Sequence, residues 1–245
     1  MTWVMIFAIG FVAAFVSAMS GCGSGMITLP SWLLLGYPLP TALACDKVNA
    51  CVWTLLASKN YLGTASVRWK LLLVMTALGI LGSVTAAYLV ITIDESVLKP
   101  VIGVIILITL VMISISKETA PEKEQASSGD ALMGLLGFPL GYYEGFFGAG
   151  NGIFTAFTFS KLKGFSLVKS LGYYYAMAFV WSLVAAVVLI KSGFADIPLF
   201  ACASLGAGLG GHLGSKLGSA RGSSFVKRVL VVLGTILGIK LILGF

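Results

Sequence analysis

Hydrophobic residues fall into long runs that short polar segments separate. Each run is close to the length of about 20 residues at which an apolar α-helix crosses the hydrocarbon core of a bilayer. The pattern lacks the alternating strands of about ten residues that a membrane β-barrel requires. It therefore predicts an all-α, polytopic integral membrane protein, with apolar runs at residues 3–20, 42–58, 68–91, 98–116, 131–147, 170–190, 198–215 and 226–244.

Composition supports this fold class and excludes a soluble domain. Of the 245 residues, 58% are hydrophobic and 10% are charged, and the mean hydropathy is +1.02. Soluble domains carry about a quarter of their residues as charges. The opening segment MTWVMIFAIG contains no Lys or Arg, so we interpret it as the first membrane segment and not as a cleavable signal peptide. The four cysteines form no C-x-x-C pair, and we predict no disulfide framework, no metal site and no cofactor.

The polar stretch at 117–130 divides the chain into two similar halves. A shift of 127 or 128 residues superimposes many residues of the first half on the same residue type in the second. This nearly constant offset indicates a tandem duplication, with a first repeat at 1–116, a linker at 117–130 and a second repeat at 131–245. The matched pairs include Gly21 with Gly148, Gly23 with Gly150, Gly25 with Gly152, Gly36 with Gly164, Gly79 with Gly206, Gly82 with Gly210 and Lys99 with Lys227.

The distribution of basic residues distinguishes two arrangements of the copies. Four crossings per copy would divide the basic residues almost equally between the two sides of the membrane. If each copy instead opens with a helical hairpin (3–36 and 131–160) that returns to its starting side, three full crossings follow and the second copy is inverted. Most basic residues then share one face, as the positive-inside rule requires. These are Lys59, Arg68, Lys70, Lys117, Lys123, Lys161, Lys163, Lys169, Lys216, Arg221, Lys227 and Arg228, against Lys99, Lys191 and Lys240 on the other face.

We therefore predict two inverted repeats in the inner (plasma) membrane, with both termini outside and the linker in the cytoplasm. Each repeat is a hairpin with a glycine-rich turn, followed by three transmembrane helices. The short segments 26–36 and 152–160 decide between the two arrangements. Whether each is a re-entrant segment or a full crossing is left open. The net charge of +7 is mostly cytoplasmic-loop charge and requires no nucleic-acid partner. The oligomeric state, a homodimer included, is also left open.

The two glycine-rich turns are the predicted binding site. The first contains SGCGSGM at 20–26 and the second GFFGAGNG at 145–152. Glycine permits irregular backbone and close approach of a ligand. A helix that begins just after each turn would direct unpaired N–H groups and the positive end of its dipole at an anion. The candidate binding residues here are Gly21, Cys22, Gly23, Ser24, Gly25, Gly148, Gly150, Asn151 and Gly152.

Polar side chains within the apolar runs complete the candidate site, because ionisable groups are costly in a membrane and often functional. Lys47 is a candidate anion ligand, and Asn49 and Tyr174 are candidate hydrogen-bond donors. Asp46 and Glu144 are candidates for proton coupling. For Asp46 and Lys47 the alternative is an ion pair that reaches water near the interface, and for Glu144 it is a simple interfacial residue.

The chain resembles the TauE/SafE family of sulfite and organosulfonate exporters, also called the toluene sulfonate uptake permease group. The resemblance rests on the glycine-rich turn, the short apolar helix with Pro30, the step at Gly36, Tyr37 and Pro38, and the repeat after an acidic linker. It covers nearly the whole chain. The resemblance implies transport of a small sulfur-containing anion, such as sulfite, sulfoacetate or another sulfonate.

We predict a secondary transporter, and not an enzyme, that exports such an anion by alternating access to a site near the bilayer midplane. Its predicted partners are then the anion and the lipid bilayer. The alternative within the same fold is a passive small-anion channel or an uptake permease. A membrane oxidoreductase that uses Cys22 is a rival from another class, although the matching turn has no cysteine.

Overall fold

A computed structural model describes residues 2–63, 66–94 and 130–220, together with a few positions between 96 and 108. The linker and the run at 226–244 lie outside these residues, and the run at 98–116 lies almost wholly outside them. The described segments form helices and connecting turns. The long helices are α1 (Thr2–Ser20), α3 (Leu39–Leu62), α4 (Trp69–Thr92), α5 (Asp130–Phe146), α7 (Leu167–Lys191) and α8 (Ile197–Ala220), and the shorter ones are α2 (Gly25–Leu34) and α6 (Asn151–Lys163).

Four of the described helices, α1, α4, α7 and α8, are long and apolar enough to cross a membrane. Helix α3 is equally long, but Asp46, Lys47 and Lys59 lower its hydropathy. The short helices predicted after the glycine-rich turns are present as α2 and α6. The all-helical, multi-pass part of the prediction is therefore confirmed for the described residues.

Glycine rows bring α1 against α8. Gly206, Gly210 and Gly214 on α8 lie directly against the backbone of Phe7, Phe11 and Phe15 on α1, so that a Cβ at any of these glycines would overlap that backbone. Small residues at every fourth position allow such close packing of membrane helices. Because both series ascend together, α1 and α8 run in the same direction.

Helix α5 packs against α4 in the same way. Gly137 lies against Met75, Gly141 against Gly79 and Gly145 against Ser83, which makes these two helices parallel as well. The glycines at 79–82 and 206–211 thus lie where helices pack closely against each other.

Helices α3 and α7 form the centre of the bundle and run in opposite directions. Cys51 on α3 lies near Phe179 on α7, whereas Gly172 near the start of α7 packs on Tyr61 near the end of α3. Tyr175 stacks edge-on against both Trp53 and Tyr61. This aromatic packing fixes the two central helices side by side.

Basic residues collect at one end of the bundle. The Arg68 guanidinium pairs with Asp130 at 2.5 Å, and Lys163 pairs with the same carboxylate. Lys169 lies over the Phe165 ring at 4.3 Å. At the same end, Asn60 donates to Ser215 at 2.7 Å, and these two residues neighbour Lys59 and Lys216 in sequence.

Candidate functional site

The two glycine turns, residues 21–24 and 147–150, meet in the interior. The Gly150 N–H donates to the Cys22 carbonyl oxygen at 2.6 Å. Gly23 lies so close to Gly148 that a Cβ on Gly23 would be 2.5 Å from the Gly148 carbonyl oxygen. Gly21 lies against Gly152 in the same manner. Turns from opposite halves of the chain therefore form one backbone contact.

Both turns adopt the same backbone conformation. Two glycines in each have φ near +75°, in the left-handed region that side chains with a Cβ disfavour; they are Gly21 (+76°), Gly23 (+73°), Gly148 (+81°) and Gly150 (+78°). Helix α2 then begins at Gly25 and α6 at Asn151, and neither has a side-chain N-cap. In the first turns of these helices the amides of Ile27, Asn151 and Ile153 donate to carbonyls of the preceding turns. Among the described residues this leaves the amides of Gly25, Met26 and Gly152 as donors next to the meeting point.

Asp46 on α3 is tied to the first hairpin, which consists of α1, the first turn and α2. Its Oδ1 accepts hydrogen bonds from Ser24 Oγ at 2.9 Å and from Thr28 Oγ1 at 2.7 Å. Ser24 Oγ in turn accepts from Trp53 Nε1 at 3.1 Å. Two hydroxyl donors on one oxygen stabilise the ionised carboxylate in a buried position.

Lys47, the next residue on α3, is tied to the second hairpin, which consists of α5, the second turn and α6. Its Nζ donates to the carbonyl oxygen of Glu144 and, at 3.1 Å, to that of Phe147. These carbonyls belong to the last turn of α5, where oxygens lack partners within the helix and the helix dipole is negative. Lys47 thus caps the C-terminus of α5.

The Glu144 carboxylate accepts from three side chains. Asn151 Nδ2 donates to Oε2 at 2.8 Å, Tyr174 Oη donates to the same oxygen at 3.1 Å, and Ser182 Oγ donates to Oε1 at 3.3 Å. Tyr174 and Ser182 lie two helical turns apart on α7. Glu144 therefore links the second hairpin to its own central helix, much as Asp46 links α3 to the first hairpin.

These three charged side chains form one buried cluster. Asp46, Lys47 and Glu144 are 2%, 0% and 4% exposed, and Lys47 Nζ is 3.9 Å from Asp46 Oδ2. The interfacial alternatives that the sequence left open are excluded for this arrangement, because protein covers all three groups. With both carboxylates ionised the cluster carries one net negative charge, which is costly to keep away from water.

A second capping contact mirrors that of Lys47. Tyr175 Oη on α7 donates to the carbonyl oxygens of Ser17 and Ala18 near the end of α1, each at 3.1 Å. Tyr175 follows Lys47 by 128 residues and Glu144 follows Ser17 by 127, which matches the offset between the two glycine turns. Each central helix thus caps the hairpin of the other half of the chain, with a charged group in one case and a neutral group in the other.

The remaining predicted residues divide between this cluster and its surroundings. Tyr174 and Asn151 contact Glu144 directly. The side chain of Asn49 instead contacts Cys45 and, through Oδ1, Ser204 on α8 at 3.0 Å. Cys22 Sγ lies 2.9 Å from Ser20 Oγ. Within the described residues, no group of three His, Cys, Asp or Glu side chains is arranged to hold a metal.

The sequence reasoning missed Thr28 and Ser182. Isolated hydroxyl residues in apolar helices usually bond to a carbonyl of their own helix, so these two residues carried no distinguishing signal.

Curated relatives of this chain are membrane transporters by name. A Haemophilus influenzae protein named "Probable membrane transporter protein" is 30% identical over 190 residues, which are 77% of this chain and 74% of the relative. YfcA of Escherichia coli K12 and ORF9 of a Sinorhizobium species bear the same description, and each is 27% identical over 68% and 67% of this chain. The match spans 62% and 63% of those two proteins. No solved structure matches the chain.

The family model described as "Sulfite exporter TauE/SafE" matches residues 6–241, nearly the whole chain. The resemblance seen in the glycine turns is thereby confirmed, together with a membrane location and a transport role. This chain belongs to the TauE/SafE family and is a multi-pass membrane transporter, not an enzyme.

Proposed function

We propose that this protein exports a small sulfur-containing anion, such as sulfite, sulfoacetate or another organosulfonate, by alternating access to a site at the two glycine turns. The observation that carries the proposal is the meeting of these turns, with two helix N-termini directed at a buried cluster of polar side chains. The family name supports an anion of the sulfite type.

The two copies are inverted repeats in this proposal, and the helix directions support it. The corresponding helices α3 and α7 run in opposite directions. Helix α1 is parallel to α8. Their counterparts, α5 and α4, are likewise parallel to each other. A two-fold axis in the membrane plane relates helices in this way, and transporters with inverted repeats bind substrate near that axis.

The basic end of the bundle is the cytoplasmic side in this proposal. Arg68, Lys163 and Lys169 lie at this end. Helices α4 and α7 begin there, and α6 ends there. Positive charge on that side follows the positive-inside rule. It also attracts anions towards the cytoplasmic entrance, which suits export.

The amides at the starts of α2 and α6 that have no partner among the described residues bind the anion, and the cluster of Asp46, Lys47 and Glu144 sets the charge that the anion meets. An anion that enters a cluster with one net negative charge is repelled. Proton binding at Glu144 removes that repulsion and couples protonation to binding. Lys47 acts by holding the end of α5 in place and by offsetting the carboxylates, since two of its three N–H donors already bond to carbonyls.

Ligand-induced thermal stabilisation of the purified protein tests the proposal. Sulfite, sulfoacetate and taurine are compared with chloride at matched ionic strength. A ligand at about 100 times its dissociation constant stabilises the folded state by about 2.7 kcal/mol. Stabilisation by sulfur anions and not by chloride is the expected result, and no shift with any sulfur compound would rule out this substrate class.

A further inference from the structure

Three buried polar atoms on the helices that adjoin the two turns lack a hydrogen-bond partner among the described residues. They are Ser17 Oγ on α1 and Asn151 Oδ1 and Thr155 Oγ1 on α6. All three residues are fully buried. Each lies within about one helical turn of the contact between Gly21 and Gly152.

One other such atom, Trp32 Nε1 on α2, lies elsewhere in the described part of the chain, whereas Asp130 Oδ1 forms an ion pair with Lys163. Native proteins leave few buried polar groups without a partner, because each one costs free energy. Three around a single contact therefore indicate a place where a ligand supplies the missing bonds.

The Asn151 amide has a fixed orientation. Its Nδ2 donates to the Leu140 carbonyl oxygen at 3.0 Å and to Glu144 Oε2 at 2.8 Å. A backbone carbonyl can only accept, so Nδ2 must face Leu140 whether or not Glu144 is protonated. Oδ1 consequently faces the other way, and it can only accept a hydrogen bond.

Asn151 Oδ1 requires a hydrogen-bond donor on the substrate, whereas the N–H groups of the turns require an acceptor. An oxyanion whose polar atoms are all acceptors satisfies those N–H groups and the hydroxyls of Ser17 and Thr155, but it leaves Asn151 Oδ1 unpaired. A ligand with its own O–H or N–H satisfies every atom.

We propose that the substrate is a sulfur oxyanion that carries its own hydrogen-bond donor, such as a hydroxy- or aminoalkanesulfonate or hydrogen sulfite, and that Asn151 Oδ1 accepts from that donor. The inference rests on the function proposed above and narrows its substrate class. A site with a buried acceptor discriminates against an analogue that lacks the donor, here by about 5- to 150-fold in dissociation constant.

A matched pair of sulfonates tests the inference. Isethionate (2-hydroxyethanesulfonate) and ethanesulfonate differ by one hydroxyl group and carry the same charge. Their dissociation constants are measured by titration of thermal stability with the full chain in detergent. Isethionate is expected to bind the unaltered protein at least about fivefold more tightly.

Two variants assign the preference to Asn151. Asn151→Ala removes the acceptor and should abolish the preference. Tyr174→Phe also removes a hydrogen bond to Glu144 but retains Asn151 Oδ1, so it should keep the preference even if both affinities fall. It is thus the control for damage to the Glu144 network.

Each outcome bears on a different claim. Equal binding of the two sulfonates to the unaltered protein overturns the inference and leaves the proposed function standing, and this comparison needs no variant to fold. A preference that survives in Asn151→Ala overturns the role of Asn151. If neither sulfonate nor any sulfur anion of the first panel binds, the proposed function fails and the inference fails with it.

Discussion

Replacing Lys47 by Met tests whether this side chain holds the second hairpin or binds the anion. Methionine keeps the length of the buried chain but has no donor and no charge. The carbonyl oxygens of Glu144 and Phe147 would then be buried without their side-chain partner. Asp46 would also lose the cation 3.9 Å from its carboxylate.

The expected loss is large because all these groups are buried. An unsatisfied buried acceptor costs about 1–3 kcal/mol, and breaking a buried ion pair by removing one partner costs about 3–5 kcal/mol. These penalties overlap, since one ammonium group serves all three contacts. We therefore expect Lys47→Met to lower the free energy of unfolding by about 3–5 kcal/mol.

Tyr175→Phe is the matched control, since Tyr175 caps the first hairpin from the equivalent position. It removes a neutral donor from two carbonyls, and the expected loss is about 1 kcal/mol. Both variants are compared with the unaltered protein by equilibrium unfolding in mixed micelles, with anion affinity measured in parallel.

The two roles of Lys47 give opposite results. Greater destabilisation in Lys47→Met than in Tyr175→Phe supports the capping role. A Lys47→Met protein as stable as Tyr175→Phe but unable to bind sulfonates would refute this reasoning and make Lys47 an anion ligand.

Two further substitutions test the proton site and the contact between the turns. Glu144→Gln keeps acceptors for Asn151 and Tyr174 but cannot ionise, so transport into proteoliposomes should lose its dependence on pH; an unchanged pH profile ends the coupling proposal. Gly23→Ala places a methyl group 2.5 Å from the Gly148 carbonyl oxygen and should reduce stability by more than about 2 kcal/mol. Gly36→Ala is the control, because Gly36 also has a positive φ but has open space around it. Its thermal unfolding should show only the backbone strain of about 1 kcal/mol. Equal losses of stability in the two variants would exclude a steric requirement at Gly23.

The helical elements and the turns were predictable because their causes are local. Glycines at a fixed offset, short apolar helices after them and long apolar runs can all be recognised in the sequence. Gly23 and Gly150 were predicted at the site, and the structure brings both into the contact between the turns. Membrane helices direct apolar residues at lipid and pack glycines against neighbouring helices. Helix packing therefore leaves a clear pattern in the sequence.

The partners of the charged residues were not predictable in the same way. Lys47 stays a predicted anion ligand, but its bonds to backbone carbonyls about a hundred residues away were not predicted. Every residue has a carbonyl, so no residue type identifies this partner in advance. Only the packing of α3 against the end of α5 creates the contact, and that packing depends on the whole bundle.

The two halves of the chain present similar hairpins but differ in the chemistry that attaches them. The contact from α7 to the first hairpin is neutral, through Tyr175, whereas the contact from α3 to the second hairpin is charged, through Lys47. A hydrogen bond from a charged donor contributes about 1.5–3 kcal/mol, against about 1 kcal/mol for a neutral one. Moving the second hairpin away from α3 therefore costs more than moving the first away from α7. Lys47 also offsets the charge of Asp46, whose carboxylate binds Ser24 and Thr28 of the first hairpin. The two hairpins are thus attached unequally, and a charged donor holds the second.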